Sequence, residues 1–148
     1  MPKRAYPKPT KYVMKNPHKY VGDVNNIICR SSWERKFLIW ADNNPAVLYV
    51  ASEEIIIPYF SPVDQKQHRY FTDFAILIQN RDGTTQKYLI EIKPKAQTLP
   101  PVRGKRSTNK YIAELATFAT NRAKWEQAEI FCKKNAMQFL LLTEDHLF

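Results

Sequence analysis

From residue 31 onward the apolar positions fall into runs of two different periods. Trp33, Phe37 and Trp40 recur at helical spacing behind Ser31 and Ser32, either of which can cap a first turn. The pattern predicts a helix ending near Asn43-Asn44-Pro45. Two short apolar runs follow, AVLYV at 46–50 and EEIIIPYF at 53–60; Pro58 in the second points to an edge strand or a bulge. Longer strands are expected over YFTDFAILI at 70–78 and QKYLIEIK at 86–93, joined through Asn80-Arg81-Asp82-Gly83. A second helical stretch runs from about Thr108 to Asn135, continuous or broken near Thr120-Asn121. Its apolar side carries Leu115, Phe118, Ala119, Trp125 and Ile130. The strand MQFLLLT at 137–143 closes the chain. Helix, three or so strands, helix, strand is an α/β arrangement with a mixed, α+β type sheet, and Trp33, Trp40 and Trp125 are assigned to its core.

Composition narrows the possibilities. Hydrophobic residues are 44% and aromatics 13% of 148, enough for one core, so residues 21–148 are expected to form a single domain. Three glycines are too few for a Gly-rich phosphate loop of the Rossmann or P-loop kind. No apolar run approaches the roughly 18 residues of a membrane span, and the basic start leads into Pro and Tyr rather than a signal peptide's apolar stretch, so a soluble intracellular protein is expected. Cys29 and Cys132 lack metal-ligand spacing and read as reduced core thiols.

Charge points to the partner. Lys and Arg total 23 against 14 Asp and Glu, a net charge of +9 that favours a polyanion, nucleic acid first. Residues 1–20 hold Lys3, Arg4, Lys8, Lys11, Lys15 and Lys19 with four prolines, three tyrosines and no acid. Such a segment buries little apolar surface alone, and is expected to be an extended basic arm whose removal leaves the fold intact. Tyr6, Tyr12 and Tyr20 either stack on unpaired bases or anchor the arm to its own domain. Residues 94–110 carry Lys95, Arg103, Lys105, Arg106 and Lys110 with three prolines and again no acid, the pattern of a mobile basic loop.

Acids stand where apolar residues belong. Asp73 lies among Phe71, Ala75 and Leu77 on one strand face, and Glu91 among Leu89 and Lys93 on another. A two-residue turn would set them on opposite sides of the sheet. A three-residue loop Arg81-Asp82-Gly83, with Gly83 in the left-handed position, instead pairs Asn80 with Thr84 and brings Asp73 directly opposite Glu91, Cβ atoms roughly 5 Å apart. A divalent cation relieves that repulsion, and Mg²⁺ favours one or two carboxylates completed by water and phosphate oxygens. Glu34, on the first helix beside its apolar stripe, is placed to face inward or onto the sheet's rim. The competing reading makes Asp73 with Lys93, and Glu34 with a lysine, structural ion pairs.

Glu34, Asp73 and the triplet Glu91-Ile92-Lys93 resemble the PD-(D/E)xK nuclease constellation, with Thr72 where the proline usually stands. Longer stretches, KYVGD at 19–23, RSSWERKF at 30–37, IPYF at 57–60, RYFTDF at 69–74, IEIKPKAQTLPP at 90–101 and LLTED at 141–145, are similar to the head-completion nucleases of contractile-tailed phages. That family is similar in its core to transposon end-cleaving endonucleases. The resemblance implies a restriction-endonuclease-like αβββαβ core and a metal-dependent DNA endonuclease that processes packaged DNA ends before tail attachment. It further implies portal or neck proteins as neighbours, and the host cytoplasm during assembly, or the virion, as location.

Carried over residue by residue, it makes Asp73, Glu91, Glu34 (directly or through water) and the Ile92 carbonyl ligands of Mg²⁺ or Mn²⁺, with Lys93 orienting the attacking water. Lys95 and Gln97 stand just beyond the motif, either to bind the same or a neighbouring phosphate or as an ordinary solvated strand end. Lys3, Arg4, Lys8, Lys11, Arg103, Lys105 and Arg106 would neutralise flanking phosphates. The rival functions are a DNA-binding head protein that does not cut, and a transposon-end or junction endonuclease.

Overall fold

A computed structural model describes residues 8–104 and 108–148 of the chain. Two short strands, β1 (Thr10–Tyr12) and β2 (Ile27–Cys29), pair antiparallel ahead of α1 (Ser32–Asn43). The helix starts where expected because Ser31 Oγ accepts the Glu34 N–H at 3.1 Å, and it ends at Asn44, whose successor is proline. The strands β3 (Val47–Ser52), β4 (Ile56–Phe60), β5 (Gln67–Phe71), β6 (Phe74–Gln79) and β7 (Thr85–Ile92) follow. Then come α2 (Thr108–Lys134), β8 (Met137–Leu142) and the short α3 (Glu144–Leu147).

One four-stranded sheet organises the molecule, in the order β3-β6-β7-β8. Its first two pairings are antiparallel, and β7 with β8 is parallel, the long α2 making the crossover that parallel neighbours require. The order α1, β3, β6, β7, α2, β8 is the αβββαβ core of the restriction-endonuclease-like fold, with the β4–β5 hairpin inserted as a separate two-stranded sheet. Pro58 lies in that hairpin opposite Arg69, where its missing N–H costs no bond in the main sheet.

The sheet is covered on both faces. Phe37, Leu38 and Ala41 of α1 pack with Val50, Phe74, Ile76, Ile90 and Ile92. On the other face Leu89 meets Trp125, Ala128 and Cys132 of α2, together with Ile57, Tyr59 and Tyr70 of the hairpin. Strand alternation therefore turns Glu91, the neighbour of Ile90 and Ile92, toward α2 and the hairpin. Cys29 and Cys132 are buried free thiols, as expected.

Several expectations need correction. The strand expected over 70–78 is two strands, because the chain changes sheets at Thr72 and Asp73. Thr72 stays with the hairpin, giving both its N–H and its hydroxyl to the Ile55 carbonyl, while Phe74 opens the ladder to β7. On α2, which is continuous, the buried positions are Asn121, Trp125, Ala128 and Cys132; Leu115 and Ile130 are 38% and 45% exposed. Trp40 is 45% exposed and Trp33 partly buried, so of the three tryptophans Trp125 is the one fully in the core. The segment 94–104 begins with a single 3-10 turn, Lys95–Thr98.

Residues 8–20 are docked rather than extended. Tyr12 and Met14 join the α1-side core, and Tyr12 donates to Asp42 at 2.7 Å. Lys19, 6% exposed, donates to the carbonyls of Ala41, Asp42 and Asn44 at 2.7, 3.0 and 2.9 Å, satisfying acceptors that the end of α1 leaves without intrahelical partners. Tyr12 and Tyr20 thus act as anchors, Tyr20 through a long hydroxyl contact with Ser52, while Tyr6 lies outside the described residues.

Candidate active site

The hairpin loop between β6 and β7 sets the geometry. Asn80 N–H reaches the Thr84 carbonyl at 2.7 Å, Gly83 N–H returns to Asn80 O at 3.0 Å, and Gly83 takes φ +86°. This is the three-residue loop, and the ladder runs from Gln79 opposite Thr85 up to Phe74 opposite Ile90. Asp73, the next residue, stands abreast of Glu91 just past the last ladder pair. Its Oδ2 accepts the Ile92 N–H at 2.7 Å, so the carboxylate caps the ladder that its own backbone has left.

Glu91 is 4% exposed. Its Oε2 accepts the Tyr70 hydroxyl, and its Oε1 lies 3.8 Å from Lys93 Nζ. Burial raises the pKa of both acids. For Asp73, burial and the Glu91 charge together push it up to about 8, against the Ile92 N–H and Lys93. For Glu91, the Tyr70 hydroxyl, Lys93 and Lys124 partly oppose the effect of burial. Burial likewise holds Tyr70 well above the ordinary phenol range, reinforced by the Glu91 charge and hydrogen bond.

Glu34 sits in the first turn of α1, half-buried, where the Ser31 hydroxyl donates to its Oε2 at 3.0 Å. Burial raises its pKa too, and its charge disfavours ionisation of both Asp73 and Glu91. It is nonetheless an outer member: among the described residues no three His, Cys, Asp or Glu side chains converge closely enough to hold a metal together. The pair Asp73 and Glu91, both hard oxygen donors, suits a cation that takes two carboxylates and completes its shell with water and phosphate. Lys93 pairs with Glu91 rather than Asp73, so the ion-pair alternative has the wrong partner on the aspartate side.

The outlying basic residues divide. Lys95 spends its ammonium on Asp145 at 3.0 Å and its N–H on Glu144 at 2.7 Å, tying the 3-10 turn to α3. Gln97 is exposed on that turn, and Lys8 and Lys11 are exposed, Lys11 in β1. Arg103 is exposed and reaches the Thr108 hydroxyl at 3.1 Å. Lys3, Arg4, Lys105 and Arg106 lie outside the described residues.

Two site residues escaped the sequence reading. Tyr70 comes from the inserted hairpin, whose approach to β7 no local pattern announces. Lys124 was legible in principle: it lies three residues after buried Asn121 and four before buried Ala128, a cation on the inward face of α2.

Residues 44–144 match the family described as TnsA-like endonuclease N terminal. The chain belongs to the TnsA-like endonuclease family. The matched span contains Tyr70, Asp73, Glu91, Ile92, Lys93 and Lys124, and Glu34 precedes it. Over 141 residues the chain is also 40% identical to the head completion nuclease of Enterobacteria phage T4, covering 93% of this chain and 91% of that protein. No helix among the described residues is long and apolar enough to cross a membrane.

Proposed function

We propose that this TnsA-like endonuclease is a divalent-metal-dependent DNA endonuclease acting in phage head completion, where it trims packaged DNA ends before tail attachment. The observation that carries the chemistry is half-buried Asp73 beside buried Glu91, two carboxylates each of which disfavours ionisation of the other, in a protein whose net charge is +9. They would hold Mg²⁺ or Mn²⁺ with the Ile92 carbonyl, and Glu34 would complete the set through water. A bound divalent cation supplies a polarised phosphate and a water of lowered pKa. Lys93, just past the end of β7, would orient that water and balance charge gathering on the phosphate oxygens. Tyr70 holds the Glu91 carboxylate in one orientation through its hydroxyl. The exposed Lys8, Lys11, Gln97 and Arg103, with Lys3, Arg4, Lys105 and Arg106, would meet flanking phosphates, giving affinity with little sequence choice.

Head completion is preferred to transposon-end cleavage because the phage relative matches 93% of the chain, whereas the family match begins only at residue 44. In that setting the portal or neck proteins are the expected neighbours and the host cytoplasm the place of assembly. Cleavage of linear, branched and single-stranded DNA tests the reading. Glu34→Ala, Asp73→Ala, Glu91→Ala and Lys93→Ala should each lose activity while keeping the wild-type circular dichroism. A full set of active alanine variants would overturn it.

A further inference from the structure

We propose that Lys124 is a phosphate-binding residue of this site, holding a DNA phosphodiester against the Asp73 and Glu91 pair; this deepens, and rests on, the nuclease reading above. Lys124 comes from α2, one residue before buried Trp125, whereas Lys93 directly follows the end of β7. Its Nζ stands 5.7 Å from the centroid of the Tyr59 ring and 5.7 Å from that of Tyr70, the residue that donates to Glu91. Two hairpin aromatics thus steer a half-buried ammonium to the carboxylate cluster.

What the ammonium lacks is an acceptor. Among the described residues no hydrogen bond or ion pair engages it. Glu91 does not supply one: one of its oxygens takes the Tyr70 hydroxyl, and the other lies 3.8 Å from Lys93 rather than against Lys124. Asp73 turns one oxygen to the Ile92 N–H. A lysine serving only as a structural counter-ion would close on one of these carboxylates. Lys124 stays apart, at the cost of desolvation, which together with the Lys93 charge lowers its pKa.

Charge balance names the missing partner. The carboxylates of Glu34, Asp73 and Glu91 carry three negative charges when ionised, and Lys93 and Lys124 two positive ones. A divalent cation leaves the cluster with one surplus positive charge, which a single phosphodiester neutralises. Its anionic oxygens are also the acceptors an ammonium prefers.

The test is DNA binding by the full chain as a function of salt, in the cleavage-defective Asp73→Asn background so that binding is read apart from chemistry. Adding Lys124→Met should make the log-log slope shallower by roughly one unit on duplex DNA, the loss of one phosphate contact, while Lys124→Arg should keep it. With Asp73 intact and Mg²⁺ present, Lys124→Met should lower kcat/KM about tenfold or more, with partial recovery in Lys124→Arg. Should Lys124→Met fail to fold, Lys124→Gln gives the same comparison. An unchanged slope overturns the proposal, leaving Lys124 a packing residue. If wild type does not cut DNA yet the slope still falls, the nuclease reading fails and the phosphate contact stands.

Discussion

At Asp73, burial and the neighbouring Glu91 carboxylate act in the same direction, and the folded protein keeps a proton that the unfolded chain releases. The folded pKa of about 8 exceeds the ordinary 3.8, so between those values the native state binds more protons than the unfolded one. Stability without metal should therefore be highest at the acid end of that window and fall as pH rises through it. Asp73→Asn should flatten the profile, which urea melts in chelator at several pH values will show. Tyr70 makes a second prediction at this scale. Its hydroxyl favours the ionised form of Glu91, so Tyr70→Phe should raise the Glu91 pKa and move the acid limb of the pH-rate profile upward. The Mg²⁺ needed for half-maximal cleavage should rise about tenfold, the worth of a hydrogen bond of about 1.5 kcal/mol to a charged group.

Among the elements, the N-terminal segment behaves unlike its composition. Its lysines and prolines read as solvated chain, yet Tyr12 and Met14 are core and Lys19 lies beneath the end of α1. Pattern reading failed here because the partner groups are the carbonyls at the end of a helix and the carboxylate of Asp42, features of tertiary structure with no local period. Lys19→Met should leave those carbonyls unsatisfied and cost about 2–3 kcal/mol, measurable by chemical denaturation. Deleting residues 2–19 should cost more, since it also removes Tyr12 and Met14 from the α1-side core. The hairpin loop was far more legible. Of the two loop lengths its residues allow, the three-residue Arg81-Asp82-Gly83 loop is the one present, and its parity sets Asp73 abreast of Glu91. Gly83, at φ +86°, holds that parity, and its replacement by Ala should cost about 1–2 kcal/mol of backbone strain.

For the whole molecule, what sequence periodicity could see was the order of the layers: α1, the sheet and α2 fall close to their expected spans. It could not see the change of sheet at Thr72 and Asp73, because the strand pattern resumes at Phe74 with no glycine or proline to mark where the backbone changes partners. Tyr70 was hidden because an element remote in sequence brings it to Glu91, whereas Lys124 shows in the helical spacing as an inward-facing cation whose target that spacing does not name. The protein that results carries a cluster of mutually repelling acids inside a basic surface, an arrangement that a divalent cation and a phosphodiester together would relax.

Thermal melting of wild type and Asp73→Asn, each in chelator and in Mg²⁺, tests most directly whether Asp73 and Glu91 form a metal site. In chelator near neutral pH Asp73→Asn should melt higher than wild type, because folding must either protonate Asp73 or hold its charge beside Glu91, and an amide of nearly the same volume does neither. In Mg²⁺ the order should narrow or reverse. A cation at about 100 times its Kd contributes roughly 2.7 kcal/mol to a protein that binds it only when folded, and the variant should lose much of that gain. Asp73→Asn melting below wild type in chelator, with an undiminished response to Mg²⁺, would contradict the account and make Asp73 a structural cap on the β7 ladder.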